Sequence, residues 1–254
     1  MLKRVLLAVL FAGLASPAFA LDYSDMWFLP AESGWGVNFT QNDGVIFMTF
    51  FLYGTDGTPT WYVAITNEDA NGNFSGTLYS TTGTYFGAPW VGYNATPAGT
   101  ATFTPTDASN GTLTYTLTGG PTVVKSIVRQ TLTAIDLTGD FTGGQAGGYS
   151  ACTNANNDFL YKDTFDLSVT QTGGNVTFTF AYPSLNCTFS GALVQEGQLF
   201  QVPSASYTCD DGTNTTAAMS EIKLTSQGIE GRFAAQGVGA ACREDATFSG
   251  VNLK

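Results

Sequence analysis

Beyond its first twenty residues, the chain alternates apolar and polar side chains with period two almost to its C-terminus, and no window carries a sustained helical stripe. That period sends successive side chains to opposite faces of an extended strand, so it selects sheets with one oily and one hydroxylic face and excludes helical bundles. Trp35, Val37 and Phe39 alternate with Gly36, Asn38 and Thr40, and Phe165-Leu167-Val169 and Val176-Phe178-Phe180 repeat the pattern further on. Turn clusters such as Gly54-Thr55-Asp56-Gly57 punctuate the runs. The expected fold is all-β: two consecutive small antiparallel barrels or sandwiches, each a meander of about eight strands. The run from Val45 to Tyr53 is apolar on both faces, which predicts a central strand covered on both sides.

Met1-Leu2-Lys3-Arg4, the apolar run from Val5 to Leu14 and Ala18-Phe19-Ala20 have the order of an export signal with cleavage before Leu21. The apolar run is shorter than the roughly 20 residues that a spanning helix needs, and no later segment comes closer, so the mature chain is expected to have no transmembrane segment. Cleavage before Leu21 rather than a cysteine indicates no lipid anchor. An extracellular or periplasmic location follows. The formal net charge is −11 and becomes more negative once Lys3 and Arg4 are lost. Nucleic acids and anionic membranes are thereby excluded as partners, since both need clustered basic residues.

The 4 cysteines, Cys152, Cys187, Cys209 and Cys242, lie in the second half of the chain and read as two disulfides in an exported protein. With no histidine and no close cysteine pair, a zinc site has nothing to build on, and no metal or other cofactor is expected. The division of cysteines suggests a signal segment at 1–20, a cysteine-free β-domain at 21–138 and a disulfide-containing β-domain at 139–254. The glycine-rich interval Thr138 to Gly148 stands as the compact linker between the two. If residues 187–195 and 198–209 form a hairpin, Cys187 and Cys209 meet at its open ends, on the core side with Phe189 and Tyr207. Cys152 and Cys242 then meet only if the sheet closes on itself, so a nested pairing, Cys152–Cys242 and Cys187–Cys209, is a prediction of barrel closure. The tripeptide Phe-Ser-Gly recurs at 74–76, 189–191 and 248–250, a hint that the halves are related.

For binding, aromatic side chains are the richest resource. Trp27, Trp35, Trp61, Trp90 and Tyr62 could stack against sugar rings or other flat ligands, with Glu32 orienting hydroxyls. Trp35 and Trp61 share parity with the other apolar residues of their strands and are expected in the core, which leaves Trp90, Trp27 and Glu32 as the ligand-binding candidates. Trp90, in the loop Gly87-Ala88-Pro89-Trp90-Val91-Gly92, is the best placed to be exposed.

The order Asp22-Tyr23-Ser24-Asp25-Met26-Trp27, Pro30-Ala31-Glu32-Ser33-Gly34-Trp35-Gly36, Pro59-Thr60-Trp61, Gly76 to Gly83 and Ser126 to Gln130 resembles an uncharacterised β-rich module recurring in exported bacterial proteins. The resemblance covers residues 22–132 and implies export and a non-catalytic module, sometimes appended to secreted hydrolases; it brings no catalytic residues. Val202 to Gly212 is faintly similar to small disulfide-bearing bacterial lysozyme inhibitors of β-barrel fold, whose functional residues do not recur here in matching order.

Catalytic means are few. Without histidine, Ser-His-Asp and Cys-His systems are impossible, and oxidised cysteines are not nucleophiles. Glu32 with Glu68 or Asp69 could serve as acid and base for glycoside cleavage, although no spacing in the sequence specifies that they converge. The segments Asn154 to Asp158 and Asp210 to Asn214 gather oxygen ligands of the kind that hold Ca²⁺, though turn chemistry explains them equally well. An outer-membrane barrel is disfavoured because the outward positions are mostly Thr, Ser and Asn. The expected function is a secreted or periplasmic non-catalytic binding protein, with a polysaccharide, another cell-surface polymer or a secreted protein as ligand. Alternatives are a proteinaceous inhibitor of a secreted enzyme such as lysozyme and a structural cell-surface protein.

Overall fold

The computed structural model describes residues 21–239 and 241–253, so the expected export signal at 1–20 lies outside the described residues. The first half is a closed antiparallel barrel of β1 (Asp25–Phe28), β2 (Gly36–Asn42), β3 (Val45–Tyr53), β4 (Pro59–Glu68), β5 (Phe74–Gly83), β6 (Tyr93–Pro105), β7 (Asn110–Leu117) and β8 (Thr122–Arg129). Each strand pairs with its sequence neighbours, and β1 seals the ring against β8 through Trp27 opposite Arg129 and Phe28 opposite Val128.

The second half contains β9 (Gly139–Ser150), β10 (Phe159–Thr172), β11 (Asn175–Ala181), β12 (Asn186–Ala192), β13 (Val194–Glu196), β14 (Leu199–Cys209), β15 (Asn214–Leu224), β16 (Gly228–Val238) and β17 (Cys242–Asn252). Its sheet runs β12-β11-β10-β9-β17-β16-β15-β14-β13, and a further pairing of β12 with β14 joins its two ends, so this sheet also encloses its own interior. Cys152 is bonded to Cys242 and Cys187 to Cys209, the nested arrangement that closure requires. Cys187 and Cys209 are direct cross-strand partners, with Phe189 and Tyr207 two residues further along the same face.

Two expectations about individual segments are corrected. The glycine-rich interval is no linker: it is β9, paired along its whole length with β10 and β17. A Cβ at Gly143 would collide with the Ser249 carbonyl, and one at Gly147 would meet the Ala246 side chain at 2.6 Å and the Tyr161 hydroxyl at 2.7 Å. Glycine thus serves close strand approach here rather than flexibility. Residues 130–138 make the connection instead, held to the second barrel where Gln195 Nε2 donates to the Thr133 carbonyl (2.9 Å) and the Ile135 N–H donates to Gln195 Oε1 (3.2 Å). The second correction concerns β3, whose inner residues Ile46, Met48 and Phe50 are buried while Phe47, Phe51 and Tyr53 face outward and are exposed. A barrel has one interior, so a strand that is apolar on both faces leaves half its side chains exposed.

The base of the first barrel is filled by Tyr23, Trp27, Phe39, Phe74 and Phe103, with Phe39 and Phe103 ring centroids 4.8 Å apart. The buried Arg129 closes this end, its guanidinium 5.1 Å from the Trp27 ring centroid and its Nη1 3.2 Å from Asp25 Oδ2. The same Asp25 oxygen accepts the backbone N–H of Gln198 (2.9 Å), and the Gly197 N–H donates to Thr131 Oγ1 (3.0 Å), so the β13–β14 turn is docked against the base of the first barrel. In the second barrel Phe141, Phe165, Phe178, Phe180, Phe189, Phe233 and Phe248 fill the interior, with Phe189 and Tyr207 stacked at 4.2 Å.

Candidate binding surface

Up-and-down order places four connections at the end of the first barrel away from the second: residues 29–35, 54–58, 84–92 and 118–121. Glu32 lies in a short 3-10 turn, Pro30–Glu32, at this end. Lys125 Nζ donates to both of its carboxylate oxygens at 2.7 Å, and Trp35 Nε1 donates to Oε2 at 3.2 Å. The Lys125 ammonium holds the Glu32 carboxyl below its ordinary range. Tyr62 and the half-buried Tyr115 pack at the top of the core, where burial raises the Tyr115 phenol. Glu32 is therefore engaged as a clasp over the barrel mouth.

The connection between β5 and β6 is an arm. β5 pairs with β4 only as far as Tyr79, a register shift follows Leu78, and Ser80 to Gly83 then pair solely with Tyr93 to Thr96 of β6. At the tip, the Ala88 N–H donates to the Tyr85 carbonyl (2.9 Å), the Thr84 N–H and hydroxyl donate to the Gly92 carbonyl, and the Val91 N–H donates to Thr84 Oγ1 (3.0 Å). These bonds give the loop a defined form while its side chains point into solvent. Trp90 is 70% exposed and Phe86 104%, and Tyr85, Val91 and Tyr93 are similarly free. The neighbouring wall carries Phe51 opposite Trp61 and Phe47 opposite Ile65, all exposed.

Of the two tryptophans taken as ligand-binding candidates, Trp90 is exposed and Trp27 is not. Trp27 is 0% exposed, its Nε1 donates to the Tyr23 carbonyl (2.9 Å), and its faces meet Phe39 and Phe103, so it is core and not a ligand platform. Trp61, expected in the core, is 50% exposed, because the inward set of β4 is Thr60, Tyr62, Ala64 and Thr66. Trp35 is half-buried against the core. Glu32 and the pair Glu68 and Asp69 lie at opposite ends of the barrel, so the carboxylates considered for glycoside cleavage do not converge.

The two oxygen-rich segments are occupied by turn bonds: Asn154 accepts the Asn156 N–H, Asp158 accepts the Cys152 N–H, Asp210 is bonded to Asn186 and Asp211 accepts the Thr213 N–H. Among the described residues no group of three or more His, Cys, Asp or Glu is placed to hold a metal ion.

Sequence reasoning missed the rest of the tip, Tyr85, Phe86, Val91 and Tyr93. The absence of any acidic or basic residue between Asp69 and Asp107 was the signal that marks this region. It also missed Glu244, buried inside the second barrel, where Tyr161 donates to Oε1 (2.5 Å) and Tyr207 to Oε2 (3.2 Å). Burial raises the Glu244 carboxyl above its usual value against the opposing effect of the phenols, and burial together with Glu244 raises Tyr149, Tyr161, Tyr182 and Tyr207. No protein-family model matches the chain, and no curated protein matches it either.

Proposed function

We propose that this chain is an exported, non-catalytic binding protein that makes contact through the aromatic arm and the adjoining wall of its first barrel. The observation that carries the reading is the exposure of Trp90 at 70% on a tip whose backbone bonds fix its shape. A monomer rarely leaves a contiguous aromatic patch in water unless something covers it in use. Disulfides in the second half, and the lack of any helix long and apolar enough to cross a membrane among the described residues, support export. A secreted-enzyme inhibitor steered by charge would present acidic groups on its contact surface, and the tip presents none.

Tryptophan fluorescence of the signal-free chain, beginning at Leu21 and titrated with polysaccharides, lipid vesicles and secreted enzymes, tests the reading. A shift in emission that Trp90→Ala removes is the expected result. Turnover of any of these substrates, or no response from any of them, contradicts it.

A further inference from the structure

We infer that the tip of the arm enters the interface of a lipid bilayer bearing no net charge and holds the protein at a membrane surface. This inference rests on the reading of the arm as a contact surface and names what it contacts. Tyr85, Trp90 and Tyr93 are amphipathic rings of the kind that settle at headgroup level, while Phe86 and Val91, the most exposed of the tip side chains, are purely apolar.

Entry into a bilayer penalises charge, and residues 70–106, which contain the whole arm, have no Asp, Glu, Lys or Arg. Entry also penalises unbonded backbone. The N–H groups of Thr84, Ala88 and Val91 are bonded within the tip and Pro89 has none, while those of Tyr85, Phe86, Gly87 and Trp90 have no partner among the described residues, which sets the depth at the hydrated headgroup level rather than in the hydrocarbon. The free stem, Ser80–Gly83 against Tyr93–Thr96, gives a reach of roughly 13 Å at strand rise, enough for the roughly 5–10 Å depth of an interfacial segment. Tyr53, Phe51 and Trp61 lie toward the same end of the barrel and widen the apolar contact.

Charge selects the lipid. A net charge of −11 repels anionic headgroups, so the surface addressed is zwitterionic. A saccharide would be recognised differently, through side chains that read hydroxyls beside the stacking rings. Residues 84–93 include no acid, base or amide, Thr84 is spent on the backbone, and Asn94 donates to Thr96.

The test is co-sedimentation of the signal-free chain, beginning at Leu21, with phosphatidylcholine vesicles, combined with quenching of tryptophan emission by bromine-labelled lipid. Expected are binding, a blue shift and quenching, with at least tenfold weaker binding for Phe86→Asp and for Val91→Asp. Both side chains are outside the core, and unchanged near-ultraviolet circular dichroism confirms that the variants are folded. If vesicles are ignored while a polysaccharide or protein shifts Trp90, the membrane inference is overturned and the contact surface stands. Silence toward vesicles and every other ligand overturns both. Self-association abolished by Phe86→Asp, without vesicle binding, overturns the inference in favour of a second copy of the chain.

Discussion

Trp27 and Trp90 are the same side chain given opposite work. Trp27 fills the base of a sealed barrel under the Arg129 guanidinium, so Trp27→Ala removes a large buried ring and is expected to cost about 3–5 kcal/mol. Trp90 touches solvent, and Trp90→Ala is expected to stay within about 0.5 kcal/mol. Urea unfolding of the two variants measures the contrast. Glu244 offers a second comparison. Its folded pKa lies above its unfolded value, so its contribution is fully present below the unfolded value of 4.5 and is lost as pH rises through the folded one. Glu244→Gln retains an oxygen for the phenols but cannot ionise. The melting temperature of the variant is expected to gain on that of the wild type between pH 4 and pH 8; a constant difference across that range would refute the assignment.

At the level of strands, alternation made the class of fold and the strand positions legible, because period two is written directly into residue order. It could not say which face was the inside. Trp61 shares its parity with Val63 and Ile65 on β4, but that face is the outer one, since Tyr62, Ala64 and Thr66 fit the interior. β9 was misread because its glycines answer to neighbours distant in sequence, Ser249 and Ala246, which only closure brings near. The arm escaped notice for a similar reason: pairing with β4 stops at Tyr79, and no local pattern announces where a ladder ends. Replacing residues 84–92 by Asn-Gly should join β5 to β6 through a tight turn. With no core residue removed, the melting temperature is expected to move by less than about 2 °C, read by calorimetry, while the response to ligands disappears.

The whole molecule distributes its reinforcement unevenly. Both disulfides secure the second barrel, closing separations of 90 and 22 residues, which in the chain-entropy picture stabilises it by about 4–5 and about 3 kcal/mol. The first barrel has none, so reductant is expected to lower the melting transition of the second barrel alone, resolved by calorimetry with and without dithiothreitol. The seam between barrels was invisible in sequence because Asp25 meets Gln198 across 173 positions. Arg129→Met leaves Asp25 buried without its cation and is expected to destabilise the protein by about 3–5 kcal/mol in urea unfolding.

Asp25 also imposes a timetable. The strand that carries it emerges early, yet it must await β8 for its second ladder and the turn at Gly197 for its last hydrogen bond. Until both arrive, that edge is open to any neighbouring chain, so newly made copies in a crowded compartment compete for a partner that each eventually supplies to itself.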